Sequence, residues 1–281
     1  MSNRPRLTAL TGAFVAAALL AGTARAAPPP VELWRLDCGE LWEGNLDEFS
    51  DTHAYAGQSK RLVVSCYLIR HGESYMLWDT GLSKADLGKP LVRNTTESEA
   101  LSISVVDQLA KIGVRPQQIS LIGISHYHFD HTGQAADFPQ AKLLMGKADL
   151  ALLRQPARAA RAKPLAPWIG GAGPVEEVEG DKDIFGDGRV VMLDLPGHTP
   201  GHHGLLVKLD GAGTVLLSGD VAHFRENLEG DGVPIFNADR ADSLASMDRF
   251  RALGRNLHAT VVIQHDERDV TKLPAFPKSA R

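Results

Sequence analysis

Three imidazoles and a carboxylate fall within six residues in the segment Ser125-His126-Tyr127-His128-Phe129-Asp130-His131, directly after the apolar run Ile119 to Ile124. If the strand continued through this segment, side chains would alternate with period two, so His126, His128 and Asp130 would share one direction. His131, which follows Asp130 immediately, must then turn away from them. Two directions of ligation are what a pair of adjacent metal ions requires. Imidazole nitrogen with carboxylate oxygen is a donor set that zinc favours, and neither cysteine stands close enough in sequence for a structural thiolate site. A lone histidine is more often a surface or hydrogen-bonded core residue. Here, however, three more candidates each end an apolar run: His198 after Val190 to Leu195, Asp220 after Val215 to Leu217, and His265 after Val261 to Ile263. Polar residues at strand ends along one edge of a sheet converge in space even when far apart in sequence.

The rest of the chain supplies the strands for such an edge. Short, often β-branched runs bounded by Gly, Asp or Pro recur at Arg61 to Leu68, Ser74 to Trp78, Ile119 to Ile124, Lys142 to Met145, Arg189 to Leu195, Gly204 to Leu209, Gly213 to Ser218 and Thr260 to Gln264. Apolar spacing of three and four predicts helices over Leu101 to Ile112 and Asp242 to Leu253, each stopped by a glycine. The mixture suggests α/β sheet layers covered by helices. Gln155 to Gly188, with several Pro and Gly around Trp168, reads as a long surface excursion that could act as a lid.

The N-terminus reads as an address. Arg4 and Arg6 precede an apolar run from Leu7 to about Ala21, shorter than the roughly 20 residues of a spanning helix, and Ala24-Arg25-Ala26 suits a signal peptidase. A signal peptide over 1–26 and one mature domain over 27–281 are therefore expected, in the periplasm or secreted, with no stable membrane insertion after cleavage. The mature part carries 27 basic and 34 acidic side chains, a formal charge of −7, which disfavours nucleic acid as a partner. In an oxidising compartment Cys38 and Cys66 could pair, but Cys66, inside the apolar stretch Leu62 to Ile69, is expected as an unpaired buried strand residue.

The run His126-x-His128-x-Asp130-His131, followed by Gly197-His198-Thr199-Pro200-Gly201-His202, Ser218-Gly219-Asp220 and Gln264-His265-Asp266, resembles the metallo-β-lactamase superfamily, as do Cys66-Tyr67-Leu68 and Trp78-Asp79-Thr80-Gly81 earlier in the chain. The resemblance runs from about Leu62 to His265 and implies a four-layer αβ/βα sandwich with metals at one edge. Within the superfamily, Val64-Ser65-Cys66-Tyr67-Leu68, the two histidine phrases, and Asp220 followed by Arg225-Glu226-Asn227 look most like the N-acyl-homoserine lactonases, which quench bacterial quorum signals.

That likeness implies two Zn²⁺ ions, or other divalent metals such as Fe, Mn or Co. His126, His128 and His198 would hold one, Asp130, His131 and His265 the other, and Asp220 would bridge them. It implies attack on a lactone carbonyl by a metal-bound hydroxide, with Asp130 carrying a proton to the leaving ring oxygen, and a homodimer by analogy. Lactonases often place a tyrosine three residues after the bridging aspartate; this chain has His223, whose imidazole could donate a similar hydrogen bond. Asp79 either orients a ligand imidazole or ties down a turn, and His202 is expected to bond nearby backbone. An exported metallo-β-lactamase and a glyoxalase II-like thioesterase share the dimetal core as alternatives. Against the first stands the bridging Asp220. Against the second stand the apparent export and the lack of an extra C-terminal helical region.

Overall fold

The computed structural model describes residues 1–2 and 28–281. The expected signal peptide lies outside the described residues. Among those described, no helix is long and apolar enough to cross a membrane.

Among the described residues, twelve strands form two sheets. They are β1 (Val31–Glu43), β2 (Lys60–His71), β3 (Ser74–Trp78), β4 (Glu97–Ala100), β5 (Ile119–Ile124), β6 (Lys142–Gly146), β7 (Val175–Val178), β8 (Lys182–Asp183), β9 (Val190–Asp194), β10 (His203–Leu209), β11 (Gly213–Leu217) and β12 (Thr260–Val262). The first sheet has the order β4-β1-β2-β3-β5-β6-β7 and the second β12-β11-β10-β9-β8. The α-helices are α1 (Val105–Lys111), α2 (Phe129–Thr132), α3 (Lys147–Leu153), α4 (Ala159–Ala162), α5 (Ala166–Ile169), α6 (Arg225–Gly230) and α7 (Arg240–Asn256).

Period-two alternation along the strands builds the layers. In the second sheet Val190, Met192, Leu205, Val207, Val215 and Leu217 point at the first sheet, meeting Tyr67, Ile69, Met76 and Trp78. The intervening residues Leu193, Leu206 and Leu216 point the other way, onto Met247 and Phe250 of α7. On the far face of the first sheet, Leu68, Leu77 and Ile122 pack with Val105 and Leu109 of α1 and Leu150 and Leu153 of α3. Three apolar interfaces thus separate four layers, helix–sheet–sheet–helix, as the resemblance implies.

Strand direction decides where the polar residues gather. β3, β5 and β6 run parallel, β11 and β12 run parallel, and β9 and β11 are both antiparallel to β10. The C-terminal ends of β3, β5, β9, β11 and β12 therefore open on one edge, and the segments leaving them carry the candidate residues.

Three features depart from the sequence expectations. The 13-residue β1, which pairs along its length with β2, is interrupted by Glu32, Arg35, Asp37 and Glu40 and lacks a continuous apolar run. Glu32 is buried nonetheless, ion-paired with Arg70 and Arg281. Gln155 to Gly188 is not an irregular surface excursion: it holds α4, α5, β7 and β8. It is anchored by buried Leu165 and Trp168, the indole Nε1 donating to Ala141 O at 2.8 Å.

The third correction concerns the cysteines. Cys38 and Cys66 form a disulfide with a Cα–Cα distance of 5.8 Å. Strand register alone would set Cys66 opposite Leu36, but a bulge between Asp37 and Gly39 brings Cys38 to it. Cys66 is both a buried strand residue and a cross-link. Closing a loop of 28 residues stabilises by about 3.5 kcal/mol in the chain-entropy account. Denatured, unreduced protein should therefore titrate no free thiol, and the Cys38→Ala/Cys66→Ala variant should unfold at lower urea by about that amount. Two titratable thiols in the untreated protein would refute the cross-link.

Candidate metal centre

After β5 the backbone leaves the sheet at Ser125. Its N–H and hydroxyl donate to the two carboxylate oxygens of Asp79 at 2.7 and 2.9 Å. His128 occupies the N-cap of α2, and Asp130 and His131 fall in that short helix. The two directions of ligation therefore arise from a strand-to-helix turn, not from continued alternation along a strand. The four side chains divide accordingly. Donor atoms of His126, His128, His198 and Asp220 lie within 4.8 Å of one another, and those of Asp130, His131 and His265 form a second such group.

Asp220 stands between the groups. Its Oδ2 is 3.5 Å from His126 Nε2 and 3.4 Å from His198 Nε2, while its Oδ1 is 3.4 Å from His131 Nε2 and 3.1 Å from His265 Nε2. One oxygen thus faces each group. In the first group His198 Nε2 is 3.1 Å from His126 Nε2 and 3.0 Å from His128 Nδ1. Those spacings are close to the edges, about 3.4 Å, of a tetrahedron of nitrogens 2.0–2.1 Å from a zinc ion.

Remote partners fix which ring nitrogen faces the centre. His198 turns Nδ1 to Asn237 Oδ1 at 2.8 Å, His265 donates Nδ1–H to Val63 O at 2.9 Å, and His131 donates Nδ1–H to Asp79 Oδ2 at 2.9 Å. Each leaves Nε2 free toward the centre, the arrangement by which outer partners set ligand tautomers. Asp79 therefore both orients an imidazole and ties down its turn, from a left-handed backbone (φ +58°) that short polar residues tolerate. His202 bonds backbone as expected: its Nδ1–H donates to Leu195 O, and its Nε2 accepts the Asp220 N–H, both at 2.8 Å. Asn237 carries no sequence signal, since only the fold brings it 39 positions back to His198.

The electrostatics of these residues ask for a cation. Burial and the neighbouring imidazoles hold His126 and His198 far below the ordinary histidine range, and burial takes His128 to about 4. All three thus offer neutral lone pairs. Burial also opposes charge on His131, but Asp220, Asp130 and Asp79 outweigh it and hold its pKa well above the usual value. Buried carboxylates here demand positive charge, which a divalent ion can supply in place of a proton. His131 Nε2 and Asp220 Oδ1 are buried without hydrogen-bond partners, and buried polar atoms are otherwise nearly always paired. The residues present fit two divalent ions.

His223 is buried beside this cluster, with Nε2 3.3 Å from Asp220 Oδ2, its ring stacked on His265 and its Nδ1 unpartnered. A cavity of about 390 Å³ opens above, with His128, Asp130, Asp220, His223 and His265 in its lining. Its apolar walls include Leu41, Phe49, Leu62, Phe129 and Phe236. Glu43, Glu48 and Glu97 also line it, and Arg161 is the one Lys or Arg among the described lining residues. None of those four charged residues was singled out from sequence. Elemental analysis should find two divalent ions per chain, and His198→Ala should lose one of them while the Asp130, His131 and His265 group keeps its own. Two tightly held ions in that variant would refute this division of ligands.

A family model described as metallo-beta-lactamase superfamily matches residues 60–265. N-acyl homoserine lactonase AttM of Rhizobium radiobacter is 29% identical over 177 residues, a match covering 57% of this chain and 63% of that protein. An N-acyl homoserine lactonase of a Bacillus species is 27% identical over 229 residues, covering 79% of this chain and 88% of the relative. The fold is similar to that of a solved N-acyl homoserine lactone hydrolase with N-hexanoyl-L-homoserine at its catalytic metal centre. There the TM-score is 0.75 at 22% identity, over 90% of this chain and all of that one. The family match takes in the whole of the ligand cluster, and the chain belongs to the metallo-beta-lactamase superfamily.

Proposed function

We propose that this chain is an exported dimetal hydrolase that opens the lactone ring of N-acyl-homoserine lactones. The observation that carries the proposal is the pair of ligand groups joined by Asp220 at the floor of a largely apolar-walled cavity. The likeness to lactonases from Rhizobium radiobacter and Bacillus supports the substrate. The Cys38–Cys66 disulfide supports export, because such bonds persist mainly in oxidising compartments.

Two ions bound there, zinc on the strength of the nitrogen and oxygen donors, supply water acidified towards neutrality and a Lewis acid for the carbonyl oxygen. In the reaction, water oxygen adds to the carbonyl carbon, the bond from that carbon to the ring oxygen breaks, and the ring oxygen takes up a proton. Asp130 lines the cavity with its Oδ2 3.5 Å from both His131 Nε2 and His265 Nε2, and burial there is outweighed by these imidazoles, which keep its pKa low. It is the group placed to take the proton released by the attacking water and pass it to the ring oxygen. His223, on the same wall, is assigned as the hydrogen-bond donor to the substrate carbonyl.

The glutamate wall of the cavity, away from the ions and Arg161, favours a neutral lactone over an anionic β-lactam. Glu43 and Glu97 face each other directly across β1 and β4, and neither has an ion-pair partner among the described residues. Like charges so placed destabilise a sheet. Burial and Glu97 together push Glu43 up to about 7. An acyl-homoserine lactone carries no charge, whereas a cephalosporin brings a carboxylate to this wall.

Initial rates with a long-chain acyl-homoserine lactone, a chromogenic cephalosporin and a glutathione thioester test the proposal. Lactone opening should dominate, vanish on chelation and return with zinc. Cephalosporin or thioester cleavage in its place would overturn the substrate. A single charge about 8 Å away contributes about 1 kcal/mol at an effective dielectric constant near 40. Glu97→Gln should therefore raise kcat/KM for the cephalosporin by up to about five-fold, Glu43→Gln by less because Glu43 is half protonated near neutral pH, and both should leave the neutral lactone within about two-fold. Equal changes for both substrates would remove the electrostatic account.

A further inference from the structure

Asp149, in the first turn of α3, is fully buried and lies outside both ligand groups. Its carboxylate grips the segment that carries His198 of the first group. Oδ2 accepts the Thr199 hydroxyl at 2.7 Å and Oδ1 accepts the Gly201 N–H at 2.8 Å, on either side of Pro200 and just beyond His198. The backbone N–H of Tyr127, the residue between His126 and His128, is near enough to favour the charged carboxylate. No Lys, Arg or His lies within ion-pair distance of it among the described residues. Burial pushes its carboxyl up to about 7, and the three donors are what oppose that push.

The backbone is shaped for this contact. A Cβ on Gly201 would stand 2.7 Å from Asp149 N and 3.0 Å from its Cβ and Cγ, and one on Gly146, just before α3, would stand 1.9 Å from Gly201 O. Two glycines thus let the start of α3 lie directly against the loop after β9. The bases of the two ligand segments are already joined, His203 N–H donating to Ser125 O at 2.9 Å. Asp149 holds the second of them further out, just beyond His198.

We infer that Asp149 is a positioning residue that sets His198 against the His126–His128 pair by clamping the Thr199–Gly201 segment to the start of α3. It rests on the metal-centre part of the proposed function and is independent of which substrate is cleaved. It differs from a purely structural role in what its loss disturbs: the geometry of one ion and not the other.

The test uses Asp149→Asn, Thr199→Val and Thr199→Ser in the full chain, read by zinc competition against a chromophoric chelator and by the visible spectrum of the Co²⁺-loaded protein. Loss of a partner behind a metal ligand costs 10–100-fold in affinity. Asp149→Asn and Thr199→Val should weaken one of the two zinc ions by roughly that factor, leave the other within about two-fold, and change the Co²⁺ spectrum. Thr199→Ser, which keeps the hydroxyl, should restore both. Unchanged zinc affinities and Co²⁺ spectra in Asp149→Asn and Thr199→Val would overturn the inference, whatever happens to their melting temperatures. If Asp149→Asn does not fold, the Thr199→Val and Thr199→Ser pair decides alone. A parent protein that binds no zinc or cobalt would overturn the metal reading beneath it, whereas normal metal binding without lactone turnover would overturn only the substrate.

Discussion

A buried carboxylate, Asp220, is the constraint on which the rest of the structure turns. Besides His223, its two oxygens meet four imidazoles from the segments after β5, β9 and β12, so the ends of β5, β9, β11 and β12 must arrive at one edge in register. A shift of one residue in any of those strands would send its inward apolar row outward and carry the ligand away with it. The carboxylate is itself gripped from behind, through its own N–H, by His202. Gly219 makes that grip possible: it is left-handed at φ +52°, and a Cβ there would sit 2.5 Å from His202 Nε2.

Legibility in the sequence followed the range of the physical signal. The strands around Leu68, Leu77, Leu193 and Leu216 were readable because alternation is local and both faces of each sheet are buried. The candidate ligands stood out because each ends an apolar run, and the structure gathers them into two groups whose donor atoms lie close together. The reason for that division was not readable, since a strand extension and a helical turn both separate His131 from His126. β1 escaped because its buried Glu32 is neutralised by Arg70 and Arg281, residues 38 and 249 positions away. The cysteine pair escaped because a bulge, invisible in composition, decides it. Asn237, Asp149 and the Glu43–Glu97 pair have no local signature: each acquires its role from a partner on another element.

The like-charged pair across β1 and β4 is the clearest place where local stability gives way. Nothing in the packing of the sheet needs two glutamates opposite each other, and their cavity-facing position ties the cost to what the cavity admits. Under the proposed ring opening, the same wall would bear on the outcome of turnover, since a neutral lactone would become a carboxylate beside Glu97.

The cavity draws on ligand-bearing and ligand-free stretches of chain. Part of its wall comes from β1, the turn after it, β4 and the α4 region, through Glu43, Phe49, Glu97 and Arg161, whereas Phe129 and Phe236, like the candidate ligands, come from the segments after β5, β9, β11 and β12. Such a division makes the scaffold modular: the chamber can be recut by substitution in segments that hold no ligand, while the reactive core passes unchanged from one substrate preference to the next.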